Sequence, residues 1–448
     1  MTIKITNDLT QIDYPRYDSY KDSGVDWLGE IPEGWNKQKL KYVVSIKKRI
    51  IGHEGVDVLS ITQSGIKVKD ITTGGGQLSM DYSKYQIVHE GDFAMNHMDL
   101  LTGYVDISNH DGVVSPDYRV FINDSNDVDN KYLLKIFQMG YSQKIFFKYG
   151  QGVSMLGRWR LPADNFNNFL IPVPSLDEQN KIIAFLESKT TQIDQAITLK
   201  QQQIAKLEEY KRIVIQNAVT KGLNPDAPMK DSGIDRVGSL PEHWTINKFR
   251  FSFKFQRGLN ITKDDLRDKG VLCLNYGEIH SKYGFELLPE HTLKYVDDKY
   301  VETNHKSLLN DGDFVFADTS EDIAGSGNFS YINGMMQVFA GYHTLIAKPI
   351  IDFDSRFVAY LLDSRAFRGQ VQQRVKGVKV YSITQSILKS TYIWLPPIDE
   401  QVKIVQELDL EMKLINETIQ SYKTQIDRLK EYKTILINQT VTGKIKVS

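Results

Sequence analysis

Residues 174–222 read PSLDEQNKIIAFLESKTTQIDQAITLKQQQIAKLEEYKRIVIQNAVTKG, and this stretch decides the fold. Seam positions recur along it in alternating steps of three and four, beginning at Ile183 and Leu186, for nearly five heptads, and all but Thr190, Lys200 and Lys211 are apolar. This pattern is typical of a coiled-coil helix, because it places one apolar stripe along one side. We therefore predict a helix from Asp177 to about Val219, about 64 Å long at 1.5 Å per residue.

The end of the chain repeats this pattern. Residues 396–444 read PPIDEQVKIVQELDLEMKLINETIQSYKTQIDRLKEYKTILINQTVTGK, in which Asp399 and Tyr432 follow Asp177 and Tyr210 at a constant shift of 222 residues. We predict that the two stripes pack against each other with the helices antiparallel. The alternative is that each helix packs on its own globular domain. The apolar positions of the predicted seam are Ile183, Leu186, Ile193, Ile197, Ile204, Leu207, Val214, Val405, Leu408, Met412, Ile415, Ile419, Ile426, Leu429 and Leu436.

A shorter motif, referred to below as the opening motif, also occurs twice. Residues 21–35 read KDSGVDWLGEIPEGW and residues 230–244 read KDSGIDRVGSLPEHW. Each copy precedes a segment of mixed strand-like and helix-like runs, and each segment leads into one of the long helices. The order of parts is therefore cyclic. We expect the C-terminal end to lie near residues 1–35, with pseudo-twofold symmetry between the copies. We expect the last tryptophan of each motif to pack at the entrance of its domain, the alternative being contact with a partner protein.

The predicted fold class is α+β: two mixed α/β domains separated by two long antiparallel coiled-coil helices. Each segment between an opening motif and a helix has roughly 135 to 150 residues, enough for one compact domain. The predicted parts are an N-terminal segment with the first opening motif (1–35), a first globular domain (36–173), the first long helix (174–222), a connector with the second opening motif (223–244), a second globular domain (245–395), and the second long helix with the C-terminus (396–448).

The composition is that of a globular protein in water: of 448 residues, 41% are hydrophobic and 25% are charged. No apolar run approaches the roughly 18 to 20 residues of a membrane span, and the N-terminus lacks the apolar core of a secretory signal. The single cysteine, Cys273, excludes disulfides. We therefore expect a cytoplasmic protein with no membrane partner. The net charge of −1 does not indicate nucleic-acid binding, although basic residues cluster locally.

The chain lacks the motifs of common catalytic sites. It has no Walker A loop, no Asn-Pro-Pro-aromatic box of an amino-methyltransferase and no glycine-rich cofactor fingerprint, and its nine histidines show no metal-ligand spacing. A loose nuclease pattern can be assembled from Asp117, Glu187 and Lys189, but Glu187 falls on the predicted coiled coil beside the seam. We therefore expect a non-catalytic chain without a metal or cofactor of its own.

The repeated motifs, taken together, resemble one family. They are Asp-Ser-Gly-x-Asp-x-x-Gly-x-x-Pro-Glu-x-Trp at 22–35 and 231–244, Pro-x-(Leu/Ile)-Asp-Glu-Gln at 174–179 and 396–401, and Glu-Tyr-Lys followed by Val-Thr at the end of each helix. In this order they make residues 18–448 resemble the specificity subunit of type I restriction–modification systems.

The resemblance implies two target-recognition domains, each reading one half of a bipartite site in double-stranded DNA. It implies that the helices fix the gap between the half-sites and bind two modification subunits, which carry S-adenosylmethionine and methylate adenine. Two restriction subunits, each a motor and nuclease that uses ATP and Mg²⁺, join them in the complete enzyme, which defends the host against foreign DNA. This chain would then supply specificity and no chemistry, because base flipping and methylation need a pocket that it lacks.

Phosphates and base edges are contacted by basic and polar side chains, so we select such residues near the domain ends as candidate DNA contacts. They are Lys47, Lys48, Arg49, His97, Tyr118, Arg119, Arg158 and Arg160 in the first domain, and Arg257, Asn275, Lys376, Lys379 and Tyr381 in the second. Two alternatives remain open. One is a coiled-coil scaffold that tethers two protein-binding heads without touching DNA, and the other is a free-standing nuclease or methyltransferase.

Overall fold

The chain forms two compact units, each containing a part of both long helices. The structure is a computed structural model and describes residues 14–71, 81–152, 159–281, 283–334, 336–377 and 379–447. The first unit contains residues 1–201 and 422–448, and the second contains residues 202–421. The first unit is thus discontinuous in sequence, because the C-terminal segment returns to it. Within the described residues, no helix is both long and apolar enough to cross a bilayer.

The first unit is built on an antiparallel four-stranded sheet with the strand order β4-β11-β8-β9. Its strands are β1 (Tyr20–Asp22), β2 (Glu30–Pro32), β3 (Asn36–Lys39), β4 (Val44–Lys47), β5 (Leu59–Thr62), β6 (Gly65–Val68), β7 (Gln86–Val88), β8 (Phe93–Met95), β9 (Val105–Ile107), β10 (Gly112–Val114), β11 (Arg119–Asn123) and β12 (Leu170–Val173). Its helices are α1 (Asn130–Ser142), α2 (Ile145–Lys148), α3 (Ala163–Asn168) and the beginning of α4 (Leu176–Lys221).

Aromatic packing holds helix α1 against this sheet. The rings of Phe93 and Phe121 stack with centroids 5.0 Å apart, and Phe137 of α1 lies 5.1 Å from Phe121. All three side chains are fully buried. Helix α1 begins where it does because the Asp129 carboxylate accepts hydrogen bonds from the first free backbone N–H groups of the helix.

The second unit is built on a five-stranded sheet with the order β16-β25-β21-β23-β18, and a four-stranded sheet, β19-β17-β24-β20, accompanies it. Its strands are β13 (Met229–Asp231), β14 (Ser239–Pro241), β15 (Thr245–Lys248), β16 (Phe253–Arg257), β17 (Val271–Leu274), β18 (Glu286–Leu287), β19 (Lys294–Val296), β20 (Leu308–Leu309), β21 (Phe314–Ala317), β22 (Thr319–Ser320), β23 (Phe329–Ile332), β24 (Val338–Ala340), β25 (Thr344–Pro349), β26 (Tyr381–Ser382) and β27 (Tyr392–Leu395). Its helices are α5 (Tyr276–Ser281), α6 (Tyr300–Thr303), α7 (Ser355–Asp363), α8 (Arg365–Gln372), α9 (Gln385–Ser390) and the beginning of α10 (Ile398–Val441).

The two units share one topology despite their different sequences. Strands β16, β25, β21 and β23 are paired in the same order as β4, β11, β8 and β9. The pair β15–β27 likewise matches β3–β12, and the hairpin β13–β14 of the second opening motif matches β1–β2 of the first. The duplication therefore extends through the globular domains, which confirms the predicted mixed α/β repeat.

The helices pair antiparallel within each unit. In the first unit Lys433 Nζ lies 2.7 Å from Asp194 Oδ2, and Lys200 Nζ donates to Gln425 Oε1. In the second unit Lys211 Nζ donates to Asn416 Oδ1 at 3.0 Å. In the first unit, residues further along α4 contact residues earlier in α10, since Asp194 contacts Lys433 and Lys200 contacts Gln425. This confirms the predicted antiparallel direction.

The apolar seam residues lie inside the cores of the units. Leu186 and Ile193 of α4 belong to the core of the first unit together with Leu429 and Leu436 of α10. In the second unit the half-buried Ile204, Leu207 and Val214 pack against the core that contains Val405, Leu408, Met412, Ile415 and Ile419. Ile183 and Ile426 are also buried, and Ile197 is half-buried.

The C-terminal end returns to the first opening motif. Lys446 N donates to Pro15 O at 2.7 Å, and the Lys444 ammonium donates to the Glu30 carbonyl. Gly443, with a φ of +71°, passes so close to Pro32 that an added Cβ would lie 2.5 Å from its ring. The cyclic order that the sequence predicts is thus present in the contacts of the first unit.

Candidate nucleic-acid interface

The last tryptophan of each opening motif is bound to a long helix inside its own unit. Trp35 Nε1 donates to Glu178 Oε2 at 2.9 Å, and Trp244 Nε1 donates to Glu400 Oε1 at 3.3 Å. Both tryptophans are 1% exposed. Each glutamate belongs to the Asp-Glu-Gln motif in the first turn of its helix, where negative charge is favourable. The predicted packing of the tryptophans at the domain entrance is confirmed.

The glutamine of the same motif fixes each globular domain to its helix. Gln179 is fully buried; its Oε1 accepts from Asp129 N at 2.8 Å, and its Nε2 donates to Asp127 O at 2.8 Å and Pro174 O at 2.9 Å. Asp129 is the residue that caps α1. The amide thus joins the start of the long helix to the start of the first helix of the domain.

The second unit repeats this arrangement. Gln401 Oε1 accepts from the backbone N–H of Asp354 at 2.9 Å, and Nε2 donates to Pro396 O at 2.8 Å. Asp354 caps α7 through its carboxylate, as Asp129 caps α1. The Asp-Glu-Gln motif therefore has one structural meaning in both copies: its glutamate binds the opening motif and its glutamine binds a capping residue.

The far end of each long helix is also attached to the globular part of its unit. The last carbonyls of a helix have no partner within the helix. Tyr132 donates its hydroxyl to Val441 O at 3.2 Å, and Trp394 donates its indole N–H to Val219 O. Val219 and Val441 are equivalent positions of the repeat, so the same carbonyl is satisfied by two different residues.

The first predicted basic cluster lies at the end of strand β4. Lys47 is half-buried and Lys48 is exposed. The Arg49 guanidinium forms an ion pair with the carboxylate of Asp92, whose side chain is 7% exposed. Lys48 is therefore the most accessible member of the cluster, whereas Arg49 is engaged within its own domain.

A second group of predicted residues meets at a corner where strand β8 ends, referred to below as the first corner. Leu161 N donates to His97 O at 2.9 Å, and Arg119 Nη2 donates to Leu161 O at 3.0 Å, so His97, Arg119 and Arg160 come together. Arg160 is exposed. Arg119 is only 5% exposed, and its guanidinium lies 4.5 Å above the ring of Phe166.

The first corner is cationic and has unused hydrogen-bonding groups. Among the described residues, Nδ1 of His97 and Nη1 of Arg119 are buried and have no hydrogen-bond partner. Burial, together with the guanidinium groups of Arg119 and Arg160, lowers the pKa of His97 to about 4. Burial lowers the pKa of Arg119 to about 10. At pH 7 His97 is therefore neutral and Arg119 is charged, and Arg119 supports the corner from inside instead of facing solvent.

The other predicted residue of this region, Tyr118, is half-buried and packs against the small apolar cluster around Val88 and Val120. Arg158 lies outside the described residues.

The predicted residues of the second unit fall into two groups. Arg257 is exposed at the end of β16, whereas Asn275 is 1% exposed and its backbone N–H donates to the Glu278 carboxylate. The burial of Asn275 places its side chain in the interior of the domain, where Nδ2 has no partner among the described residues. Asn275 does not reach the surface, because it follows the buried strand β17.

The second group lies around β26. Lys376 and Lys379 are exposed and Tyr381 is half-buried. A bridge between Lys376 and Ser382 brings the loop back onto β26, which pairs with β22. Lys376 and Tyr381 are therefore brought close to each other beside β26.

Sequence reasoning missed an acidic site beside this group. Asp318 Oδ1 lies 3.1 Å from His343 Nδ1, with side chains 31% and 57% exposed. The sequence contained a pattern that could have indicated it. When the two domains are aligned on their Gly-Asp-Phe runs at 91–93 and 312–314, Asp318 falls opposite His97. The two partners are far apart in sequence, so no local pattern indicates their contact.

Sequence reasoning also missed a cavity of about 750 Å³ in the second unit, lined by the four arginines Arg212, Arg236, Arg365 and Arg368. Two of them, Arg212 and Arg365, form ion pairs with Glu209. No group of three or more histidine, cysteine or acidic side chains that could hold a metal occurs in the described part of the chain.

Comparison with a family model assigns most of the chain. The model described as "Type I restriction modification DNA specificity domain" matches residues 32–209 and again residues 242–431. The two matched ranges correspond to the two copies of the internal repeat.

Curated relatives come from Methanocaldococcus jannaschii. The MjaVIII specificity subunit of a type I restriction enzyme is 25% identical over 285 residues, 63% of this chain and 63% of that protein. The match thus spans less than two thirds of that relative. The putative MjaX specificity subunit is 23% identical over 444 residues, 94% of this chain and 96% of that protein.

Solved structures share the fold. A chain from work on complex assembly and conformational transition of the type I R-M system aligns with a TM-score of 0.67 and 16% identity, over 92% of this chain and 98% of that chain. The HsdS subunit from Thermoanaerobacter tengcongensis aligns with a TM-score of 0.50 and 16% identity, over 93% of this chain and 98% of that chain.

Proposed function

The chain belongs to the type I restriction modification DNA specificity family, and on this premise we propose that each unit reads one half of a bipartite site in double-stranded DNA. It is a non-catalytic specificity subunit with two target-recognition domains. The observation that supports DNA reading most directly is the contrast between the repeated structural motifs and the differing globular domains. The opening motif, Asp-Glu-Gln motif and helix seam repeat, whereas the corner at β8 and its equivalent at β21 carry different side chains. Two different globular domains held by the same repeated motifs suit a ligand with two different halves.

The helices are the proposed docking surface for two modification subunits. These would hold S-adenosylmethionine and methylate adenine in each half-site, and two restriction subunits with ATP and Mg²⁺ would complete the enzyme. Support for docking comes from exposed apolar side chains on the paired helices of the second unit. Tyr210 and Ile213 of α4 are 48% and 45% exposed, and Leu410 and Leu414 of α10 are 69% and 60% exposed. Leu410 and Leu414 are four residues apart and so lie on the same face of α10, and contiguous apolar patches mark surfaces that a partner covers.

Long-read methylation mapping tests the proposal. A host carrying this chain with its modification subunit is compared with a host in which this chain alone is deleted. The expected result is a two-part site, with N6-methyladenine in both halves, that disappears on deletion. Retention of every methylated motif after deletion, with the modification subunit still expressed, would contradict DNA reading and favour a tether of two protein-binding heads.

A further inference from the structure

The two recognition domains place different side chains at one equivalent position. Leu161 N donates to His97 O at 2.9 Å, and in the second unit Ile383 N donates to Asp318 O at 2.8 Å. Both acceptors follow the equivalent strands β8 and β21. These two backbone bonds define matching corners, so that Asp318 occupies the place of His97 and Ser382, next to Ile383, occupies the place of Arg160.

The first corner offers hydrogen-bond donors. Arg160 is exposed, and it precedes Leu161, whose backbone N–H donates to the His97 carbonyl and whose carbonyl accepts from the buried Arg119. Among the described residues no carboxylate forms an ion pair with any of the three side chains. A fork of guanidinium N–H groups matches two adjacent acceptors on one plane.

The second corner offers hydrogen-bond acceptors. The Asp318 carboxylate takes the position of His97, and the neutral Ser382 replaces Arg160. His343 orients Asp318: its Nδ1 lies 3.1 Å from Oδ1, and its carbonyl accepts from Asp318 N at 3.0 Å. His343 also has a φ of +55°, the left-handed region that non-glycine residues seldom occupy and that is concentrated at functional sites.

The difference in charge decides between the two kinds of DNA contact. A phosphate is the same at every position of a duplex, so a phosphate contact shared by the two corners would need a basic side chain at the equivalent positions, where the second domain has Asp318 and Ser382. A carboxylate at the equivalent position would repel phosphate. Base edges differ, because guanine presents two acceptors, O6 and N7, in the major groove, whereas cytosine presents an amino donor.

We propose that these corners are specificity-determining positions, at which Arg160 of the first domain reads a guanine and Asp318 of the second domain reads a cytosine. The inference rests on the proposed function, since it names bases within half-sites that the two domains are proposed to bind. The His97 carbonyl and the Arg119 guanidinium hold the backbone next to Arg160 through Leu161, and His343 positions Asp318.

The test is selection of bound duplexes from a DNA library by the complex of this chain with its modification subunits. The wild-type complex is measured first. Failure to enrich any bipartite site would contradict the proposed function itself. Once a bipartite site is enriched, the variants address the corners alone.

Arg160→Ala and Arg160→Lys test the first corner. Arg160→Ala is expected to reduce discrimination for guanine about tenfold to a hundredfold at one position of one half-site. Arg160→Lys is expected to reduce it less, because lysine keeps the charge but lacks the fork. The other half-site should be unchanged, which controls for folding. Wild-type base discrimination in Arg160→Ala, or an equal loss of affinity for all sequences, would show that Arg160 does not read a base and would overturn the proposal.

Asp318→Asn tests the second corner with an almost isosteric change. An amide both donates and accepts, and it pairs with adenine N6 and N7. The expected result is a change from cytosine to adenine at one position of the other half-site, with the first half-site retained. An unchanged base preference at every position would overturn the assignment of Asp318.

Discussion

Substitution of Gln179 by alanine should loosen the first unit at the junction of helices α1 and α4. The side chain is fully buried and makes three hydrogen bonds of 2.8, 2.8 and 2.9 Å. Each buried bond contributes about 1 kcal/mol, and its loss leaves a buried partner unsatisfied. The expected loss is therefore about 3 kcal/mol. Gln401, with two such bonds, should lose about 2 kcal/mol in the second unit when replaced by alanine.

Hydrogen exchange followed by mass spectrometry measures the two units separately in the intact chain. A loss of 3 kcal/mol corresponds to about a hundredfold faster exchange of the amides at the start of α1. Gln401→Ala should leave those amides unchanged and accelerate the start of α7 instead. Asn180→Ala, at the exposed neighbouring position, is the matched control and should change neither. If exchange in Gln179→Ala rises less than fivefold, or rises equally in both units, the hydrogen bonds of Gln179 do not hold the domain to its helix.

Three further perturbations follow from the same contacts. Trp35→Phe removes the N–H donated to the Glu178 carboxylate and should destabilise the first unit by about 2 kcal/mol in urea unfolding; an unchanged midpoint would contradict this. The pKa of His97 lies near 4 in the folded chain, below its ordinary value of 6.5, so the unfolded chain takes up a proton first. The stability of the first unit should therefore be full above about pH 6.5 and decline toward pH 4, and His97→Gln should flatten that profile. Leu408→Ala, at a position 2% exposed, should cost about 3 kcal/mol. Leu410→Ala, at a position 69% exposed, should stay within about 0.5 kcal/mol, and similar losses in the two would argue against the seam.

The long helices and the opening motifs were predictable from sequence because their patterns involve residues close together along the chain. A heptad stripe can be recognised within one helix. The first long helix, α4 (Leu176–Lys221), begins one residue before the predicted start and ends two residues after the predicted end. The burial of Trp35 follows from its size and from its place at the end of a repeated motif. Both predictions depend on residues that are neighbours along the chain or along one helix face.

The two corners were less predictable because they depend on contacts between distant segments. Asp318 and His343 meet only after β21 and β25 pair in the second sheet. Arginine is rarely buried, so the sequence suggested solvent for Arg119, whereas Phe166 and the Leu161 carbonyl hold it inside. Side-chain chemistry selected basic and polar residues as candidates, and only the strand register shows which of them lie close together.

The equivalent carbonyls of Val219 and Val441 carry a consequence for how the chain has diverged. A duplicated chain has met each structural requirement twice, and each half serves as the replicate of the other. At some equivalent positions the two copies have the same residues, as with the tryptophan–glutamate hydrogen bond, and there the structure requires those particular side chains. Where they differ, as with Trp394 at Val219 and Tyr132 at Val441, the requirement is only for some buried donor. Comparison of the two copies thus separates positions that keep the same residue from positions at which only the hydrogen-bonding role is kept.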